Sequence, residues 1–101
     1  MILLIDDARE GGWADIVARN GEAGLLILGA CEGNIEKLWL DFYLGNGING
    51  AQVITDAIAN DIELPKTIII VTSLHQGREV LTATLLLNGY KQIDHSEFRR
   101  E

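Results

Sequence analysis

Met1-Ile2-Leu3-Leu4-Ile5-Asp6-Asp7 opens the chain as an apolar run closed by an acidic pair. An unbroken apolar run suits a strand covered on both faces, as in parallel sheets, where the alternation of apolar and polar residues disappears. An acidic pair directly after it falls at the carboxyl edge of the sheet, where open α/β sheets bind their ligands. The same arrangement recurs further on. Lys37-Leu38-Trp39-Leu40 runs into Asp41, and Thr67-Ile68-Ile69-Ile70-Val71 runs into Thr72-Ser73. Asp6-Asp7, Asp41 and Thr72-Ser73 are therefore expected to share one edge.

The segments between these runs read as helices, which makes a βαβ pattern and a mainly parallel sheet. Asn20 is a helix N-cap, Glu22 sits near the positive end of that helix, and Gly33-Asn34 stops it after about Glu32. Residues 51–62 carry Val53, Ile54, Ala57, Ile58 and Ile62 at helical spacing. Pro65 breaks the chain before the Thr67 strand. Residues 72–77 read as loop and Arg78–Leu87 as a helix ended by Asn88-Gly89. Tyr90–His95 is the expected last strand, and about 97–101 a polar tail. Only about seven residues separate Ile5 from Trp13–Ala18, which reads as the second strand. A parallel crossover normally takes a dozen or more. Either the first helix is vestigial, or Trp13–Arg19 is that helix and the sheet loses a strand.

At 101 residues the chain makes one domain, and 48% hydrophobic with 23% charged residues is an ordinary globular balance. No apolar run approaches the ~20 residues that cross a bilayer. Asp6 and Asp7 interrupt the first run at once, which is unlike an export leader, so the cytoplasm is the expected compartment. The lone Cys31 excludes an intramolecular disulfide and a cysteine metal cage. A net charge of −7 argues against nucleic acid as a partner, since phosphate neutralisation needs clustered cations. It suits a cation-binding pocket.

Carboxylates converging on a sheet edge repel one another, and a hard cation such as Mg²⁺ relieves that repulsion through oxygen ligands. A carboxylate beside such a metal can also attack a phosphoryl group whose charge the cation offsets. Gly45, Gly47 and Gly50 read as turn glycines. A phosphate-cradling P-loop would continue with Lys-Ser or Lys-Thr, and Ala51-Gln52 follows instead.

The segments I-L-L-I-D-D, L-W-L-D-F-Y-L-G-N-G-I-N-G, I-I-I-V-T-S and N-G-Y together resemble a response-regulator receiver domain over nearly the whole chain. The chain is closer still to the compact receiver variant associated with cyclic-phosphate processing. That variant's L-D-D-x-R opening is matched by Ile5-Asp6-Asp7-Ala8-Arg9, with an early Trp13. Its L-D-H-D-L-G strand end is matched by Leu40-Asp41-Phe42-Tyr43-Leu44-Gly45. Its H-S-x-N-x-x-G-R loop is matched by Thr72-Ser73-Leu74-His75-Gln76-Gly77-Arg78.

The resemblance implies a flavodoxin-like, three-layer α/β/α domain with a mainly parallel five-stranded sheet and a shortened or missing first helix. It implies Asp6 and Asp7 as Mg²⁺ ligands, with the Tyr43 carbonyl as a further one. Asp41 would be both a metal ligand and the phosphoacceptor or central acid. Thr72 or Ser73 would donate to a phosphoryl oxygen, Arg9 and Arg78 would clamp a phosphate, and His75 would contact the ligand. The implied partners are a phosphodonor or small phosphorylated ligand and another protein, with no membrane. Ser96 stands where a receiver carries the lysine that ends its last strand, and Lys91 lies about five residues too early. Phe42 and Tyr43 replace the variant's histidine and second acid. These departures define the alternative: a degenerate pseudo-receiver serving as a protein-interaction module, including a phage-encoded mimic of a signalling domain.

Overall fold

The computed structural model describes residues 1–101. Along the chain run β1 (Ile2–Ile5), β2 (Ile16–Ala18), α1 (Gly21–Ala30), β3 (Lys37–Leu40), α2 (Gly50–Ala59), β4 (Thr67–Ile70), α3 (His75–Leu87), β5 (Lys91–Gln92) and β6 (Glu97–Arg99). They form one sheet in the order β2-β1-β3-β4-β6-β5. The first four of these strands are parallel; β6 runs antiparallel to β4, and β5 antiparallel to β6.

Local chemistry sets the helix starts. The Asn20 side chain accepts from the Ala23 N–H at 2.8 Å. Asn49 and Gln52 form a reciprocal capping box on α2, at 2.8 and 2.9 Å. Leu74 caps α3 with no side-chain hydrogen bond, so the helix begins at His75 without a polar signal. The expected loop over residues 72–77 is thereby shortened, and His75 becomes helical.

The sheet has six strands, not five, and the expected polar tail is a strand. Tyr90–His95 supplies only the two-residue β5. The chain then reverses through a turn in which the Asp94 carboxylate accepts from the Ser96 and Glu97 N–H groups, each at 2.9 Å. In Glu97-Phe98-Arg99 only Phe98 points inward, and it is fully buried. Arg100 fixes the strand by donating to the Leu64 carbonyl, and Tyr90 donates to the Pro65 carbonyl.

The layers also differ from expectation. Leu3, Ile5, Leu38, Leu40, Ile68 and Ile70 share one sheet face and pack into a single core with Leu28 of α1, Val53 and Ile54 of α2, and Leu81 and Leu85 of α3. All three helices lie on that face, giving two layers in place of three. The Asp6–Asp15 connection crosses from β1 to β2 through turns. It covers part of the other face, where a Cβ on Gly11 would overlap Val17 and press on Leu4. Arg19 holds this connection by donating to the carbonyls of Asp6 (3.2 Å) and Arg9 (2.7 Å). No helix is long and apolar enough to cross a membrane.

Candidate functional site

β1 and β3 are neighbours in register, Ile5 opposite Leu40, so the residues that follow them emerge side by side. The Asp41 N–H donates to the Ile5 carbonyl at 2.9 Å, extending the ladder past the strand ends. Asp6, Asp7 and Asp41 come together there, each offering a carboxylate oxygen within 4.8 Å of the others. Asp6 is buried, Asp41 half-buried and Asp7 exposed, so the group opens to solvent through Asp7.

Asp6 is tightly held. Its Oδ1 accepts from the N–H groups of Ala8 (3.0 Å) and Arg9 (2.9 Å), and its Oδ2 faces Arg9 Nε at 3.2 Å. Arg9 Nη2 donates to the Val71 carbonyl at 2.7 Å, tying the β1 end to the β4 end. Asp41 Oδ1 accepts from the Phe42 N–H at 2.8 Å. Burial pushes the Asp41 carboxyl above its ordinary value, and the nearby Asp6 charge adds to this; hydrogen bonds from the buried Thr72 hydroxyl and the Phe42 N–H pull the other way. Three carboxylates meet here with Arg9 as the one ion-paired cation, so negative charge is in surplus. Oxygen donors only, in a group with surplus negative charge, are the donor set of a hard divalent cation, and the residues present fit one.

The remaining predicted residues divide. Thr72 joins the cluster through Asp41, while Ser73 is exposed beside it. Tyr43 packs edge-on against Phe42 with ring centroids 4.8 Å apart. His75 does not join the carboxylates; its ring pairs with Glu79 one turn along α3. Arg78 donates to the His95 carbonyl and Ser96 Oγ, both at 3.0 Å, and to the Thr72 carbonyl at 3.1 Å. Ser96 reaches this edge because β6 is antiparallel, with its carbonyl accepting from the Ile70 N–H at 2.9 Å.

Two glycines and an arginine matter here that sequence patterns did not single out for it. Gly77 lets α3 pass against the Phe42 ring, and Gly50 lets α2 start against the Asp41 carbonyl. Arg19 secures the Asp6 backbone. Their signals are absences of side chain or contacts remote in sequence, which no local pattern carries.

A mainly parallel α/β sheet with an acidic cluster at its carboxyl edge fits a receiver-type domain. Residues 1–86 match the family model described as the cyclic-phosphate processing receiver domain, and the chain belongs to that family. The match ends inside α3, so β5 and β6 lie beyond the matched residues. No curated protein matches the chain. Among solved structures, a chain described as a yeast Spc42 trimeric coiled-coil segment fused to another structure is similar in fold. Its TM-score is 0.61 at 21% identity, and the similarity covers 82% of this chain and 62% of that one.

Proposed function

We propose that this domain holds Mg²⁺ through Asp6, Asp7 and Asp41, with the Tyr43 carbonyl as a further ligand, and recognises or accepts a phosphoryl group beside it. The observation that carries this reading is the meeting of three carboxylates within 4.8 Å, with Asp41 protonating more readily than an ordinary aspartate. Bound Mg²⁺ would neutralise the cluster and the incoming phosphoryl oxygens. Asp41 is the nucleophile towards a phosphodonor. Its carboxylate oxygen forms the new bond to phosphorus as the bond to the donor's leaving group breaks, and the leaving group keeps that electron pair. Thr72, buried next to Asp41, would donate to a phosphoryl oxygen attached there, with Ser73 as a second donor. Arg9 and Arg78 can clamp a phosphate only by giving up the Val71 and Thr72 carbonyls they now hold. His75 serves only if it leaves Glu79.

A second reading, the pseudo-receiver, draws on Arg78. Its guanidinium locks Ser96, the residue standing in for the receiver lysine, into a structural bridge. The two readings part in one experiment: titration calorimetry with Mg²⁺, followed by incubation with acetyl phosphate and with cyclic nucleotide phosphates. One Mg²⁺ site that is lost in Asp41→Asn, with a phosphoryl mass adduct or ring opening, supports the first. No Mg²⁺ heat and no product leaves the second.

A further inference from the structure

Parallel sheets are ordinarily covered on both faces, because their crossovers lay helices there. Here the helices cover one face, and the register shows which residues belong to the other, where the β1–β2 connection leaves Leu4 fully buried and Ile69 is only 8% exposed. Leu4, Trp39, Ile69 and Glu97 stand in one row across β1, β3, β4 and β6. The next row is Ile2, Lys37, Thr67, Arg99 and Lys91. From the β1–β2 connection, Trp13 packs edge-on against Trp39 at 4.9 Å, and it remains 48% exposed. Both tryptophans of the chain therefore lie on this face. Beside them is a cationic row. Arg99 is paired with Glu97, whereas Lys37 and Lys91 are exposed and take part in no ion pair. Asp15 closes the β2 end of this row beside Ile2, so the face carries Lys37, Lys91 and Arg99 against Asp15 and Glu97, a local excess of cations on a chain of net charge −7.

We propose that this face docks an amphipathic helix of a partner protein, whose apolar stripe covers Trp13 and Trp39 and whose flanking carboxylates meet Lys37 and Lys91. A helix is the element that completes the missing layer, since α/β sheets bury their second face against helices. Charge complementarity selects an acidic one. A second copy of the chain fits less well, because each copy brings seven net negative charges and the same two lysines to the contact. An anionic bilayer fits less well too, because two unpaired lysines are far fewer than the basic clusters that hold proteins to such surfaces. The inference does not depend on the acidic site.

Because both tryptophans sit on the face, intrinsic fluorescence reads its occupation directly. The probe is a synthetic amphipathic helix with a leucine stripe flanked by glutamates, labelled so that anisotropy gives a second readout. A saturable change is expected with this peptide, roughly tenfold weaker in the Lys37→Glu/Lys91→Glu double variant. Both lysines are exposed, so that variant keeps its fold, checked by circular dichroism and by an unchanged unfolding temperature. Trp39→Ala should weaken the peptide independently of charge. The proposal is overturned by no saturable response, by equal binding of a leucine/lysine peptide, or by a response to phosphatidylserine vesicles alone. Self-association of the free protein through this face, seen by sedimentation, overturns it as well.

Discussion

Gly50, the first residue of α2, lies directly against the main-chain carbonyl of Asp41, and its N–H donates to the Phe42 carbonyl at 2.9 Å. A Cβ at Gly50 would overlap that carbonyl oxygen, so glycine is what lets the helix begin beside the acidic strand end. The sequence reads Gly45, Gly47 and Gly50 alike as turn glycines. In the structure Gly45 (φ 75°) and Gly47 (φ 98°) adopt the left-handed region, and Gly50 is retained for space.

Gly50→Ala should therefore destabilise the domain by about 1–3 kcal/mol, the usual cost of forced overpacking. It should also weaken Mg²⁺ binding by shifting Asp41. Gly45→Ala, with open space around its Cβ, should cost stability through backbone strain alone and leave Mg²⁺ affinity unchanged. Chemical denaturation paired with Mg²⁺ titration separates the two.

Phe98→Ala should cost about 3–5 kcal/mol, as for other fully buried phenylalanines, and the free domain should be largely unfolded at room temperature in modest denaturant. A loss below about 1 kcal/mol would mean that β6 is not part of the core.

Asn49→Ala removes the capping box of α2 and should cost about 1 kcal/mol. Asn49→Asp retains the acceptor and should recover most of it, as read from denaturation midpoints.

The raised Asp41 carboxyl has a definite sign. Its native value lies above the ordinary 3.8, so its favourable contribution is complete below the unfolded value and is lost as pH rises through the native one. At neutral pH, without metal, charged Asp41 therefore costs stability. Asp41→Asn, which keeps an oxygen for the Phe42 N–H, should be more stable than wild type at pH 7, with the gap closing towards pH 4 and below. Unfolding curves across that range in a chelator check it; a variant less stable at pH 7 contradicts it.

How far the sequence could be read depended on the range of each interaction. Apolar runs ending in Asp6-Asp7, Asp41 and Thr72 placed the strand ends, and the Asn20 cap and the stop after α1 are local chemistry. The antiparallel β6 was hidden because a three-residue strand shows one inward side chain, Phe98, among charges. The two-layer arrangement was hidden because the face a helix covers is a tertiary property. Arg9 and Arg78 looked like free phosphate clamps because several of their acceptors, Val71, His95 and Ser96, lie 62, 17 and 18 residues away, although Asp6 and Thr72 lie only three and six away.

The most direct test of the acidic site is the unfolding temperature with and without millimolar Mg²⁺, for wild type and Asp41→Asn. A ligand that binds only the native state stabilises it by about 2.7 kcal/mol at a hundredfold excess over its dissociation constant. At about 4–8 °C per kcal/mol in a domain of this size that is roughly 11–22 °C, and a few-fold excess still gives several degrees. On the Mg²⁺-site reading, wild type rises by several degrees and Asp41→Asn does not. No rise in wild type, or the same rise in both proteins, would contradict it.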